Sequence, residues 1–160
     1  PTAFGTVDEV NSIIGICRLH TTTLADNTFD MMLARIQNDL FDLGADLATP
    51  FGEERPNEVL RVTDNQVARL EAEIDAMNAS LQPLNSFVLP GGQDAAAYIH
   101  LARAMTRRAE RDMTRLSTEE PVGESAMQYI NRLSDHLFVM ARSINQQHDG
   151  DVLWKPAANA

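Results

Sequence analysis

The chain has 160 residues, 44% of them hydrophobic, and a formal net charge of −10; this is one ordinary domain with material for one core. So acidic a chain is a poor partner for nucleic acid over its whole surface, and no apolar run is long enough to span a bilayer. A single cysteine, Cys17, excludes an internal disulfide, reads as a buried structural thiol, and fits a reducing, cytoplasmic setting.

Aromatics are only 6% while Leu, Ala, Met and Ile abound, and such residues lose little freedom in a helix. The first predicted helix runs from Thr6 to His20, with Thr6 as cap, Asp8 and Glu9 in the first turn, and Val7, Val10, Ile13, Ile14 and Cys17 on one face. Thr28 is expected to cap a second helix carrying Met32, Leu33, Ile36, Leu40, Leu43 and Leu47, closed by Pro50. Phe51 to Val62 reads as a loop with Gly52 and Pro56. Thr63 and Gln66 then form a capping box for a third helix with Val67, Leu70, Ile74, Met77 and Leu81, ended by Pro83. After the turn Pro90-Gly91-Gly92, a fourth helix spans Asp94 to Leu116. Pro121 and Gly123 break the chain, and Ser125 starts a fifth helix that carries Ile130, Leu133, Leu137, Met140 and Ile144 to about Gln147. The expected fold is all-α: a five-helix, up-down bundle domain over residues 1–148, followed by an irregular tail over 149–160.

The fourth helix concentrates charge. Twelve residues of the chain are Arg, and five of these fall at Arg103, Arg107, Arg108, Arg111 and Arg115. At about 100° per residue they share an arc of about 140°, while Ile99, Ala102, Met105, Ala109, Met113 and Leu116 share the other side. Like charges at this spacing repel, so the face needs acidic partners, solvent or a polyanion. A guanidinium fork suits phosphate and carboxylate alike. Spacing alone leaves a salt-bridged face and an anion site both open. The same holds for Asn131 and Asp135, neighbours on the fifth helix, which suit either a structural hydrogen-bond network or ligand orientation. Phe87, beside the glycine turn, reads from its own residue type as a core aromatic. No Glu-x-x-His pair, Walker motif, nucleophile elbow or zinc spacing is present, so no metal ligands are assigned.

Five segments together resemble the PduO-type ATP:cob(I)alamin adenosyltransferases. They are Phe4-Gly5-Thr6-Val7-Asp8-Glu9-Val10-Asn11-Ser12, Phe41-Asp42-Leu43-Gly44-Ala45-Asp46-Leu47, Phe87-Val88-Leu89-Pro90-Gly91-Gly92, Ala102-Arg103 with Arg107-Arg108-Ala109-Glu110-Arg111, and Tyr129 through Phe138. Their order and spacing follow the family along nearly the whole chain. The resemblance implies a homotrimer with active sites between subunits, and transfer of the 5′-deoxyadenosyl group of ATP to cob(I)alamin, assisted by Mg2+. It maps ATP contacts to Arg107, Arg108, Ala109, Glu110, Arg111 and Asn131. It maps an acidic residue that pairs across the interface to Asp8, opposite Arg107, and the aromatic beside the corrin ring to Phe87. Arg107, Arg111 and Asp8 are thereby the expected catalytic set. The only tryptophan, Trp154, stands in the tail, where it could order over a corrinoid. An adenosylcobalamin-dependent enzyme is a possible recipient of the product. The family also carries a Thr/Gly/Asp-rich phosphate-wrapping segment and a lysine ahead of the Asp8 helix. These are outside this sequence, so the chain as given is expected to hold part of the triphosphate site. A corrinoid carrier without ATP chemistry, and a helical interaction domain, are the competing expectations.

Overall fold

The computed structural model describes residues 2–52 and 59–160; Pro56, placed by the sequence in the second connection, lies outside the described residues. Five helices follow in order: α1 (Thr2–Thr21), α2 (Thr28–Ala48), α3 (Asp64–Asn78), α4 (Asp94–Leu116) and α5 (Glu124–Gln146). Backbone packing runs α2 to α1 to α4 to α5 to α3, so α4 and α5 form the centre. The α5 stripe Tyr129, Ile130, Leu133, Leu137, Met140 and Ile144 is fully buried, at the three- and four-residue spacing of one helix face. Each large apolar side chain so buried contributes about 1.5–3 kcal/mol.

The caps differ from expectation in instructive ways. The Thr63–Gln66 capping box forms as predicted, with both reciprocal hydrogen bonds. The first helix begins at Thr2 rather than Thr6. Thr6 is therefore not a cap: its hydroxyl lies between the Thr2 carbonyl, at 2.7 Å, and the buried Asp112 carboxylate of α4. Asp8 and Glu9 accordingly sit past the first turn. Thr28 is not a cap either, because Asp26 accepts its backbone N–H at 3.0 Å. Ser125 lies inside α5, after Gly123, and hydrogen-bonds the Asp64 carboxylate at the start of α3. The third helix stops at Asn78, short of Leu81.

Between α2, α3 and α5 runs a buried polar network. Asp39 of α2 receives Arg69 and, at 3.0 Å, Gln66 from α3, and the Tyr129 hydroxyl of α5 at 2.8 Å. Burial, then the Asp39 charge and hydrogen bond, push the Tyr129 phenol well above its ordinary pKa. Beside it Glu73 meets His136 and Arg35, both at 2.9 Å. Because the partners come from three helices, α2, α3 and α5, the network fixes the rotation of α3 against the rest.

Cys17 is fully buried in the α1 face, and desolvation pushes its thiol up to about 12. Native protein at pH 8 is therefore expected to resist a maleimide that labels the unfolded chain completely. Fast stoichiometric labelling of the native form would contradict this packing.

Candidate active site

The buried side of α4, with residues every three or four positions, packs into the core and leaves the opposite side toward solvent. Ala102, Ala109 and Met113 are fully buried, Arg103 is half-buried, and Arg107, Arg108, Arg111 and Arg115 are exposed. Two of these arginines are neutralised within the chain: Arg108 lies 3.5 Å from Glu9, and Arg115 lies 3.3 Å from Asp112. Among the described residues no carboxylate comes within ion-pair distance of Arg103, Arg107 or Arg111. Burial, and then the neighbouring Arg107 charge, pull the Arg103 guanidinium below its ordinary value. The row thus retains uncompensated positive charge at its centre, which is what a polyanion requires.

The flanking polar residues are organised rather than free. Asn131 of α5 donates to Glu110 at 2.8 Å and accepts from Arg132 at 2.6 Å, and Arg132 reaches Glu71 of α3 at 3.1 Å. Asn131 and Glu110 are therefore fixed at the edge of the row. Asp135 is exposed, and its side chain makes no hydrogen bond among the described residues. Ala109 is fully buried on the core side of α4, so its methyl supports the row by packing.

Asp8 is exposed and is not ion-paired with Arg107 inside one chain. It borders a cavity of about 250 Å³ between α1 and α2, lined also by Phe4, Asn11, Phe41 and Gly44. Phe41 is 73% exposed and Phe4 49%. A Cβ on Gly44 would stand 3.2 Å from the Phe4 ring, so this glycine lets the two helices and the ring approach closely.

Phe87 is not a core aromatic: it is 75% exposed. It projects over a cavity of about 530 Å³ lined by Leu84, Asn85, Ser86, Val88, Phe138 and Arg103. Arg103 therefore links the aromatic cavity to the head of the arginine row, so an apolar wall and a cationic face adjoin. Below them His100 is buried, with neither ring nitrogen hydrogen-bonded, and burial and then Arg103 pull its pKa below the ordinary value. The tail joins the wall. Trp154 stacks obliquely on Phe87 at 5.7 Å, and residues 86–89 pair antiparallel with 152–154 around the Val88–Leu153 bridge. Phe138 and the tail pairing were not assigned from sequence. Phe138 gives no local signal beyond an aromatic at a core-like spacing, and the bridge joins residues far apart in the chain.

The cobalamin adenosyltransferase family profile matches residues 2–144. A corrinoid adenosyltransferase of Mycobacterium tuberculosis is 43% identical over 98% of this chain and 80% of its own length. That of Bacillus subtilis is 39% identical, over 98% and 80%. The corrinoid adenosyltransferase PduO of Salmonella typhimurium is 40% identical over 88% of this chain and 41% of its own. A variant PduO-type ATP:corrinoid adenosyltransferase of Lactobacillus reuteri, solved with cobalamin and ATP, superposes with a TM-score of 0.85 at 35% identity, covering 96% of this chain and 82% of that one.

Proposed function

This chain belongs to the cobalamin adenosyltransferase family, and from that premise we propose that it transfers the 5′-deoxyadenosyl group of ATP to cob(I)alamin, giving adenosylcobalamin and triphosphate. The observation that carries the assignment of sites is the junction at Arg103, where an uncompensated cationic row meets an exposed aromatic wall. The two substrates have those two chemistries: a polyphosphate and a broad, largely apolar-faced macrocycle.

Cob(I)alamin is itself the nucleophile. Its cobalt electron pair forms the Co–C5′ bond as the C5′–O bond breaks, and the electron pair of that bond leaves with triphosphate. No general base is needed. The protein has to align cobalt with C5′ and to stabilise charge on the departing oxygen. Arg107 and Arg111 take the second task, with Arg108 beside them, and Asn131 with Glu110 orients the nucleotide. Phe87, with Phe138 behind it, takes the first: it excludes water and the lower axial ligand from the cobalt. Mg2+ usually keeps several waters and binds through substrate phosphates, so its place in this reading is on the triphosphate.

The active site is completed in a homotrimer. Asp8 faces outward beside the Phe4–Phe41 cavity and Arg107 is unpaired within its own chain, which suits a pairing of Asp8 with Arg107 of a second copy. Transfer to an adenosylcobalamin-dependent enzyme in the cytoplasm completes the reading; no helix among the described residues is long and apolar enough to cross a membrane.

The test is anaerobic incubation of the full-length protein with reduced cobalamin and ATP, following the cobalt spectrum, alongside light scattering. ATP-dependent conversion by a species of three times the monomer mass is expected. Corrinoid binding without ATP consumption would make it a carrier, and no binding of either substrate would make it an interaction domain.

A further inference from the structure

The segment between α3 and α4 that presents Phe87 has little burial of its own to orient it. Leu84 is 40% exposed and Leu89 41%, so apolar packing does not fix the loop. Its two stems are instead gripped by two side chains one turn apart on α5. Arg142 donates from Nη2 to the Gln82 carbonyl at 2.9 Å. Asn145, 1% exposed, donates from Nδ2 to the Gly91 carbonyl at 3.0 Å and accepts at Oδ1 from the Gln93 N–H at 2.9 Å.

The fit between Asn145 and the glycine turn is close. Gly92 has φ +95°, and a Cβ there would fall 2.3 Å from Asn145 Oδ1. The amide therefore occupies space that only a glycine leaves. The same two residues also hold the tail. The Asn145 carbonyl accepts from the Gly150 N–H at 2.7 Å, and Arg142 Nε donates to Asp151 at 2.9 Å. The tail then returns to the loop: Leu89 N–H donates to the Val152 carbonyl at 2.7 Å, Trp154 N–H to the Phe87 carbonyl at 2.9 Å, and Ser86 Oγ to the Trp154 carbonyl at 2.7 Å.

We propose that Arg142 and Asn145 are positioning residues for the corrinoid: a clamp at the end of α5 that sets the orientation of Phe87 by holding both stems of its loop and the tail that backs it. The proposal rests on the assignment of Phe87 to the corrinoid wall. It is specific because neither residue lines the arginine row, so loosening the clamp disturbs one substrate and not the other.

The experiment compares Asn145→Ala, Gly92→Ala and Phe87→Ala in the full-length enzyme, measuring KM for corrinoid and for ATP separately. Losing two buried hydrogen bonds is worth about tenfold or more in a local equilibrium. Asn145→Ala and Gly92→Ala are each expected to raise corrinoid KM about tenfold and to leave ATP KM within about twofold. Asn145→Asp keeps the acceptor for Gln93 and should fall between. Emission of Trp154, the sole tryptophan of this sequence, should shift in the free Asn145→Ala enzyme as the loop and tail part. If Asn145→Ala does not fold, Gly92→Ala, which leaves α5 untouched, decides alone. An equal rise in both KM values, or an unchanged corrinoid KM in variants where Phe87→Ala raises it, overturns the clamp alone. An unchanged corrinoid KM in Phe87→Ala overturns the wall assignment and the clamp with it.

Discussion

Replacing Arg107 by alanine is expected to lower turnover by about 10²–10³-fold, the usual loss when one preorganised donor to a developing oxyanion is removed. The reason lies in the charge pattern of α4. Arg108 and Arg115 have carboxylates within 3.5 Å, so part of their charge is spent inside the chain. Arg107 and Arg111 have none among the described residues, and their field is available to the phosphates. As the C5′–O bond breaks, negative charge grows on the leaving triphosphate, so the arginine is worth more in the transition state than in the bound ground state. ATP affinity should fall as well, since the ground-state triphosphate is already anionic. Arg107→Lys keeps the charge but loses the fork, and should lie between. Arg115→Ala, at the far end of the row and already paired, should change turnover by no more than about threefold. Steady-state kinetics with ATP varied would show it; equal effects at Arg107 and Arg115 would mean that the row acts only as a diffuse field.

The contrast between these arginines was only half visible in the sequence. Helical spacing separates guanidinium from core along α4, and the capping box at Thr63 and the ends of α4 follow from local chemistry. What spacing does not give is which arginine is already neutralised, because Glu9 is far away in the chain and meets Arg108 only through packing of α1 on α4. The start of α1 was displaced for a related reason. Gly5 weakens the local helix signal, and Thr6 has the side chain of a cap, yet its hydroxyl is used by Asp112 on another helix. Phe87 shows the limit from the other side: its residue type points to the core, and only the family resemblance placed it at a ligand. The tail pairing at Val88 and Leu153 has no alternation to betray it, being a single bridge held by the Arg142–Asn145 end of α5.

Asp39 is the position where stability should suffer most. Asp39→Ala is expected to destabilise the fold by about 3–5 kcal/mol, because it strips the acceptor from Arg69, Gln66 and the Tyr129 hydroxyl at once and leaves the half-buried Arg69 guanidinium with only Glu73, at 3.9 Å. Tyr129→Phe removes one donor from an acceptor that keeps two others, and should cost only about 0.5–1.5 kcal/mol. The double variant should then cost clearly less than the sum, since the two residues share one interaction. Urea denaturation at fixed protein concentration measures all three. Additive losses would mean that Asp39 and Tyr129 act independently. The adjoining Glu73 gives the network a pH signature. Burial alone would raise its pKa, but His136 and then Arg35 outweigh it, and the carboxyl sits below its ordinary value of 4.5. A folded pKa below the unfolded one gives stability that is present above about pH 4.5 and is lost as pH falls through the folded value. Glu73→Gln should therefore flatten the acid limb of the stability profile while leaving the Asp39 triad, and so most of the neutral-pH stability, in place.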